Sequence, residues 1–378
     1  MFLENKVVIN CVNVQDKITD EEGWISLGPW GGEKGKYWAY KPEGPILQIT
    51  IRYRDFIDSI SFESKSCDDL VIGRFDIGCI NKHSGSASNT QTSSIEQLSS
   101  ISLTYEQLRG IDLIISLCLE TNLKKYGPFG SRMGGFSVSI PVEGGVITGF
   151  HGRHGYYLGA IGIFVAPKGK ISNEEGLISL GPWGGKDGVY WAYKANEPIM
   201  QISICYGEAI NSILFQSKSY DGLVIGRSKK FGGTGGRMET FCIDSSVEQL
   251  SSINVTFGDY NGQVAIISLC FYTNLKKIYG PFGTILGASS VSIPIEDGVI
   301  VGFHGRGGTY LTAIGIFVAP KVNNLPSSEK KFNSLHSIQD PDYAPTQLEV
   351  NFYLFFFYHI QLVNQNSHAH FFSHKIVT

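Results

Sequence analysis

The sequence predicts an all-β protein made of two copies of one domain, and three observations support this prediction. The chain has 378 residues, which is long enough for two domains of about 150 residues each. It contains 45 glycines, well above the usual share of about 7 per cent, while only 17% of its residues are charged. The segment ISLGPWGG at Ile25–Gly32 recurs at Ile178–Gly185, 153 positions later.

Alternating hydrophobicity predicts short strands within each repeat. Ile49, Ile51 and Tyr53 alternate with more polar neighbours, and residues 202–206 keep the same spacing in the second copy. A period of two residues is typical of a strand with one buried face. Glycine pairs, and the Asp-Gly pair at residues 297–298, supply turns between strands. Strands of this length and spacing indicate a sandwich, a barrel or a prism.

The repeat sets the predicted domain boundaries. Residues 17–168 and 169–321 form two domains, with an extension at residues 1–16 and a tail at residues 322–378. An aromatic run of 13 residues from Asn351 is short for a membrane span of about 20 residues. We expect the tail to be disordered or irregular and the chain to have no membrane span.

Charge and cysteine content argue against several classes of partner. A formal net charge of −3 gives no electrostatic reason to expect binding to nucleic acid or to a membrane surface. The seven cysteines lack zinc-ligand spacing, which predicts free thiols and no metal site. The first residues lack the apolar run of a secretory signal. These features predict a cytoplasmic or nucleocytoplasmic location.

Motifs that carry catalysis are absent from the sequence. The chain has no GxSxG, no GxxxxGK[ST] and no HExxH. The glycine-rich segment 232–236 lacks a following Lys-Ser/Thr and is interpreted as a mobile surface loop. His151 and His304 are interpreted as strand residues satisfied by neighbouring backbone rather than as acid–base catalysts. We therefore expect no enzyme activity, no catalytic residues and no cofactor.

The repeated motifs resemble those of the jacalin-related lectins. GPWGG followed by Tyr37-Trp38 or Tyr190-Trp191, the segment TNLKKYGPFG, and the closing GFHGR and AIGIFVAP occur in the order of that family, twice. The resemblance covers roughly 300 of the 378 residues. It implies two tandem β-prisms, each of three four-stranded antiparallel sheets, with one sugar site at one end of each prism.

The resemblance also implies which residues bind sugar. One loop presents the backbone N–H of a glycine, and a second loop, G-x-x-x-D in the family, lies near the C-terminal end of the domain. The matching residues are Gly35, Gly155, Tyr156, Tyr157 and Gly159 in the first domain, and Gly188, Gly308, Thr309, Tyr310 and Thr312 in the second. The paired arginines Arg153 and Arg306 are interpreted as braces for these loops.

Both domains depart from the family pattern at the aspartate. Its place is taken by Gly159 in the first domain and by Thr312 in the second. A hydrogen bond to a charged group contributes about 1.5–3 kcal/mol, so losing one or two weakens affinity by about tenfold to several thousandfold. Because Thr312 keeps a hydroxyl, the second domain is expected to bind better. Tyr157 and Tyr310 are either packing residues or stacking platforms for a hexose.

Two functional hypotheses follow. The first is a metal-independent lectin for mannose- or glucose-type glycans and glycoproteins, with weakened sites. The alternative is a protein-interaction module that keeps the prism and has lost sugar binding. A role in plant defence or storage is a third hypothesis, and no feature of the sequence supports it. Edge strands exposed on prisms also lead us to expect a homo-oligomer.

Overall fold

The computed structural model describes residues 5–10, 23–42, 44–65, 72–78, 96–131, 134–168, 177–195, 197–218, 225–284 and 289–321. These ranges form antiparallel strands, and no helix in them is long or apolar enough to cross a membrane. All of them belong to one compact unit within Met1–Val322. The prediction that residues 322–378 are disordered lies outside the described residues.

The strands follow the repeat. The first half contains β1 (Asn5–Asn10), β2 (Ile25–Gly31), β3 (Lys36–Tyr40), β4 (Ile46–Tyr53), β5 (Ile57–Lys65), β6 (Ile72–Gly78), β7 (Leu98–Leu108), β8 (Ile111–Thr121), β9 (Lys125–Gly130), β10 (Phe136–Glu143), β11 (Gly145–His154) and β12 (Leu158–Pro167). The second half contains β13 (Ile178–Gly184), β14 (Val189–Lys194), β15 (Ile199–Tyr206), β16 (Ile210–Lys218), β17 (Ile225–Arg227), β18 (Phe231–Gly232), β19 (Arg237–Cys242), β20 (Leu250–Tyr260), β21 (Gln263–Thr273), β22 (Ile278–Gly283), β23 (Ser289–Glu296), β24 (Gly298–Gly307) and β25 (Leu311–Pro320).

Each half is a β-prism built from three sheets. In the first prism, the first sheet has the order β2-β12-β11-β3, the second β1-β4-β5-β6, and the third β10-β7-β8-β9. In the second prism the corresponding orders are β13-β25-β24-β14, β17-β16-β15-β19 with β18 also on β16, and β23-β20-β21-β22. The predicted all-β class with two tandem prisms of four-stranded antiparallel sheets is confirmed.

The inner faces of the three sheets meet in an aromatic core that is the same in both prisms. Phe62 of the first prism stacks on Tyr40 and Phe150, with ring centroids 4.8 Å apart in each pair. In the second prism, Phe215 stacks in the same way on Tyr193 at 4.9 Å and on Phe303 at 4.8 Å. Burial of large aromatic side chains dominates the energy of such a core. The alternating pattern in the sequence places these rings inward.

The second sheet of the first prism is completed by a strand from outside the repeat. Strand β1 pairs with β4 so that Ile9 lies opposite Ile49. In the second prism the same edge is occupied by β19, where Phe241 lies opposite Ile202, the repeat counterpart of Ile49. By sequence offset, the counterpart of β19 in the first repeat is the polar stretch 84–89, SGSASN, which lies outside the described residues. The N-terminal extension thus supplies an apolar strand at this edge.

The two prisms join through their sheets. Strand β2 pairs with β23, and β10 pairs with β13, so that two four-stranded sheets continue into one another at each contact. Trp30 donates its indole N–H to Ser292 O at 2.7 Å, and Trp183 donates to Ser139 O at 2.8 Å. The tryptophan of the GPWGG motif in each prism therefore donates an equivalent hydrogen bond to the other prism.

Candidate functional site

The two loops predicted to bind sugar meet at one end of each prism, called here the apex. They are neighbours because β2 pairs with β12 and β3 pairs with β11. In the first prism Gly32 N–H donates to Gly159 O at 3.0 Å, and in the second Gly185 N–H donates to Thr312 O at 2.8 Å. Each closing loop is tightened by its own bond, from Gly155 N–H to Tyr157 O and from Gly308 N–H to Tyr310 O.

Backbone conformation requires glycine at the two positions that the resemblance assigns to ligand contact. Gly35 has φ +96°, and a Cβ there would lie 2.7 Å from His154 O. Gly188 has φ +88°, and its Cβ would lie 2.8 Å from Gly307 O. Positive φ and close backbone approach both exclude larger residues. The turn alone explains these glycines, and their contact with a ligand stays a prediction.

The arginines of the GFHGR motifs hold these loops. Arg153 donates from Nη1 to Gly35 O at 3.3 Å, and Arg306 donates from Nη1 to Gly188 O at 3.1 Å. The interpretation of both arginines as loop braces is confirmed. Each of these bonds uses the carbonyl of the glycine and not its N–H.

The tyrosines of the closing loops differ in their surroundings. Tyr157 is half-buried and packs edge-to-face on Phe56, with ring centroids 4.5 Å apart. Its counterpart Tyr310 packs edge-to-face on Tyr260 at 5.1 Å. Tyr156 is 79% exposed. The packing interpretation therefore fits Tyr157 and Tyr310, and Tyr156 is the ring left facing solvent.

The residues at the aspartate position are both buried. Thr312 is 1% exposed, and its hydroxyl donates to Asp187 O at 2.6 Å. This contradicts the expectation that Thr312 offers its hydroxyl to a sugar, because the hydrogen is already committed and the oxygen is covered. Gly159 is also buried, and a Cβ there would lie 3.4 Å from Asp112 O. The reason for preferring the second domain is thereby removed.

Asp112, a carboxylate that no motif marks, lies beside the first loop of the first prism. It follows the hairpin between β7 and β8 and accepts a hydrogen bond from Lys34 N–H at 3.3 Å. Gln107 Nε2 donates to its other oxygen at 2.8 Å. A Cβ on Gly32 would overlap the carboxylate, so a side chain at residue 32 would displace Asp112 from this position. The one sequence signal was a difference between the repeats, since Val264 occupies this place in the second copy.

The glycine-rich segment 232–236 lies against the apex of the second prism. Strand β18 pairs with β16, and Gly233 N–H donates to Asn211 O at 2.9 Å. A Cβ on Gly233 would overlap the backbone of Thr309 in the closing loop. The segment ends in a surface loop, as predicted, and this loop also forms a wall of the second apex.

Two histidines of the repeat are buried away from the apex loops. His151 Nε2 lies 3.1 Å from Ser26 Oγ and 3.2 Å from Leu27 O, and His304 has the same partners in Ser179 and Leu180. Burial lowers the pKa of His151 and of His304 from 6.5 to about 4. Both rings are therefore neutral, which confirms their interpretation as strand residues bonded to backbone.

No group of three or more His, Cys, Asp or Glu side chains suited to a metal ion occurs in the described part of the chain. Cys118, Cys205, Cys242 and Cys270 are free thiols, of which Cys118 and Cys270 are buried. The remaining three cysteines lie outside the described ranges.

Comparison with known proteins finds one family domain twice in the chain. The family model of the jacalin-like lectin domain matches residues 27–164 and again 180–317. The mannose/glucose-specific lectins of Parkia platycephala and Parkia pendula are each 43% identical over 309 residues, which cover 79% of this chain and 66% of theirs. Jacalin-related lectin 3 of Arabidopsis thaliana is 28% identical over 386 residues, covering 80% of this chain and 63% of that lectin.

This chain thus spans slightly less than two thirds of the length of these relatives. Among solved structures, the wild-type Malaysian banana lectin is 32% identical, with a TM-score of 0.35 over 39% of this chain and 100% of that one. Since the family model matches most of the residues of both prisms, the chain belongs to the family of jacalin-like lectin domains and contains that domain twice.

Proposed function

We propose that this chain binds mannose- or glucose-type glycans through the apex loops of its prisms, without a metal ion. The observation that supports this most strongly is that the two predicted sugar-binding loops meet at the apex of each prism, beside Gly35 in the first prism and beside Gly188 in the second. Each glycine is exposed and backed by an arginine on its carbonyl side. The most similar relatives described above are named for mannose and glucose specificity.

The chemistry of the apex suits a hexose. Backbone N–H groups in a positive-φ loop converge on one point, where they can donate to hydroxyl oxygens. The exposed ring of Tyr156 offers an apolar surface to the carbon face of the sugar. Hydrogen-bond donors of this kind need no cation, which is why we propose metal-independent binding. The resemblance implies an aspartate at residues 159 and 312, where this chain has glycine and threonine, and we expect the sugar affinity to be weakened accordingly.

Retention on immobilised mannose tests the proposal. We expect the chain to be retained, to be eluted by free mannose, and to behave identically after dialysis against EDTA. The double variant Gly35→Val, Gly188→Val should pass unretained, because both side chains would meet the backbone of the closing loops. Leu123→Ala is the matched control, since Leu123 is exposed in a turn at the opposite end of the first prism.

The interaction-module hypothesis makes the opposite prediction for the same column. An unmodified chain that passes through mannose, glucose and oligomannose columns alike would contradict carbohydrate binding. Retention that free sugar does not reverse would also contradict it, because such retention would not involve the apex loops.

A further inference from the structure

We propose that Asp112 supplies the carboxylate of the sugar site in the first prism, and that the first prism is therefore the tighter of the two sites. This inference rests on the proposed carbohydrate binding. It adds to the site a residue from the third sheet, which belongs to neither of the two loops predicted from the sequence.

The position of Asp112 is the first reason. Its backbone oxygen lies 3.4 Å from the point where a side chain at residue 159 would begin, and Lys34 O lies 3.8 Å from the same point. Residue 112 is therefore next to the place where the resemblance implies an aspartate. The carboxylate itself reaches the loop 32–35 from the neighbouring sheet, where it accepts the backbone N–H of Lys34.

The second reason is that the carboxylate is held in place with acceptor capacity left over. An ionised carboxylate has about four lone-pair sites. The bonds from Lys34 N–H and Gln107 Nε2 use one on each oxygen and fix the orientation of the group. Lys34 Nζ also donates to Gly110 O at 3.1 Å, which ties the loop to the β7–β8 hairpin. The remaining sites suit two neighbouring hydroxyls of a hexose, which would donate charge-assisted bonds.

The contrast between the prisms is the third reason. The first prism has Asp112 in β8 and glycine at residue 159, whereas the second has Val264 in β21 and the buried Thr312. The second prism lacks a carboxylate at both of these positions.

Titration calorimetry with methyl α-mannoside tests the inference, with one prism blocked at a time. In the Gly188→Val chain the measured affinity is that of the first prism alone, and in the Gly35→Val chain it is that of the second prism alone. We expect the first prism to bind more tightly. Adding Asp112→Asn to the Gly188→Val chain should weaken binding by about tenfold to a hundredfold. Asparagine keeps an oxygen for Lys34 N–H, so the loop is retained while the charge is lost.

Deoxygenated sugars separate a direct contact from a structural effect. With the first prism alone, the 4-deoxy or 6-deoxy methyl mannoside should bind more weakly than the parent sugar, and Asp112→Asn should abolish that difference. Gly159→Asp added to Asp112→Asn should restore affinity by placing a carboxylate on the neighbouring position. This rescue also shows that the variant chain is folded.

The outcomes distinguish this inference from the function on which it rests. Equal affinity of the Asp112→Asn chain and its parent would overturn the role of Asp112, and so would tighter binding by the second prism. In both cases the chain remains a lectin. Absence of binding by the unmodified chain would overturn the proposed function and this inference together.

Discussion

At the scale of single residues, the two buried histidines link stability to pH. His151 and His304 are 2% and 3% exposed and neutral, because burial lowers the pKa of each to about 4. In the unfolded chain a histidine takes up its proton near pH 6.5. Between these values the unfolded state binds more protons than the folded state, so acidification favours unfolding.

We expect stability to be complete above pH 6.5, to fall as the pH is lowered to 4, and to lose nothing further from these groups below that. The difference of about 2.5 pH units corresponds to about 3 kcal/mol for each histidine. Denaturant unfolding at several pH values measures this loss. The variants His151→Gln and His304→Gln should each flatten the profile. A profile unchanged by both buried substitutions would contradict the assignment.

Single residues also show where sequence reasoning stops. Gly35 was identified through the family resemblance, and the positive φ of its loop explains why the residue is a glycine. Asp112 was missed because nothing in its own segment marks it. Asp112 stands out only through its contacts with Gly32 and Lys34, which lie about 80 residues away in the chain and meet it only in the folded prism. A carboxylate that contacts a loop of a neighbouring sheet has no local signature in the sequence.

At the scale of elements, β1 shows that the first prism depends on residues outside the repeat. Ile9 is fully buried opposite Ile49, and the corresponding place in the second prism is held by Phe241 of β19. The repeat-derived counterpart, residues 84–89, has no large apolar side chain to bury. An apolar strand at this edge contributes burial that the polar stretch cannot supply.

We expect Ile9→Ala to destabilise the protein by about 2–4 kcal/mol, since it deletes a fully buried side chain from the core. Lys6→Ala on the same strand is the matched control, because Lys6 is exposed, and should change stability by less than about 0.5 kcal/mol. Denaturant unfolding gives both values. Equal stability of the two variants would mean that β1 is not part of the folded core.

Most elements were predictable because each strand carries its own period of two residues and occurs twice. The rest depended on pairing between distant segments. Residues 5–10 were assigned only to an extension, because six residues without a repeat partner do not reveal which strand they pair with. The segment 232–236 was predicted only as a surface loop for the same reason, since its contact with Thr309 exists only in the folded prism.

At the scale of the whole molecule, the junction fixes the direction of the two apices. Strand β2 runs toward the apex of the first prism, and β23 runs away from the apex of the second, where Ser289 lies opposite Phe257 near the β20–β21 hairpin. Because β2 and β23 are antiparallel neighbours, both apices face the same side of the molecule. The bonds of Trp30 and Trp183 to the other prism hold this arrangement from both sides. The repeat predicted two domains, but not how their edges would pair.

Two sites on one side of a joined body should engage one glycan surface together. We expect the unmodified chain to dissociate more slowly from a dense mannoside surface than from a sparse one. The effective concentration of the second site is on the order of millimolar. If the dissociation constant of the weaker site is ten times lower than this concentration, two-site binding should strengthen the apparent affinity for the surface by about tenfold. Gly35→Val and Gly188→Val, tested singly by surface plasmon resonance, should each remove the dependence on density, because one site remains. Density-independent dissociation of the unmodified chain, with both single variants still binding free sugar, would show that the two sites do not act on one surface.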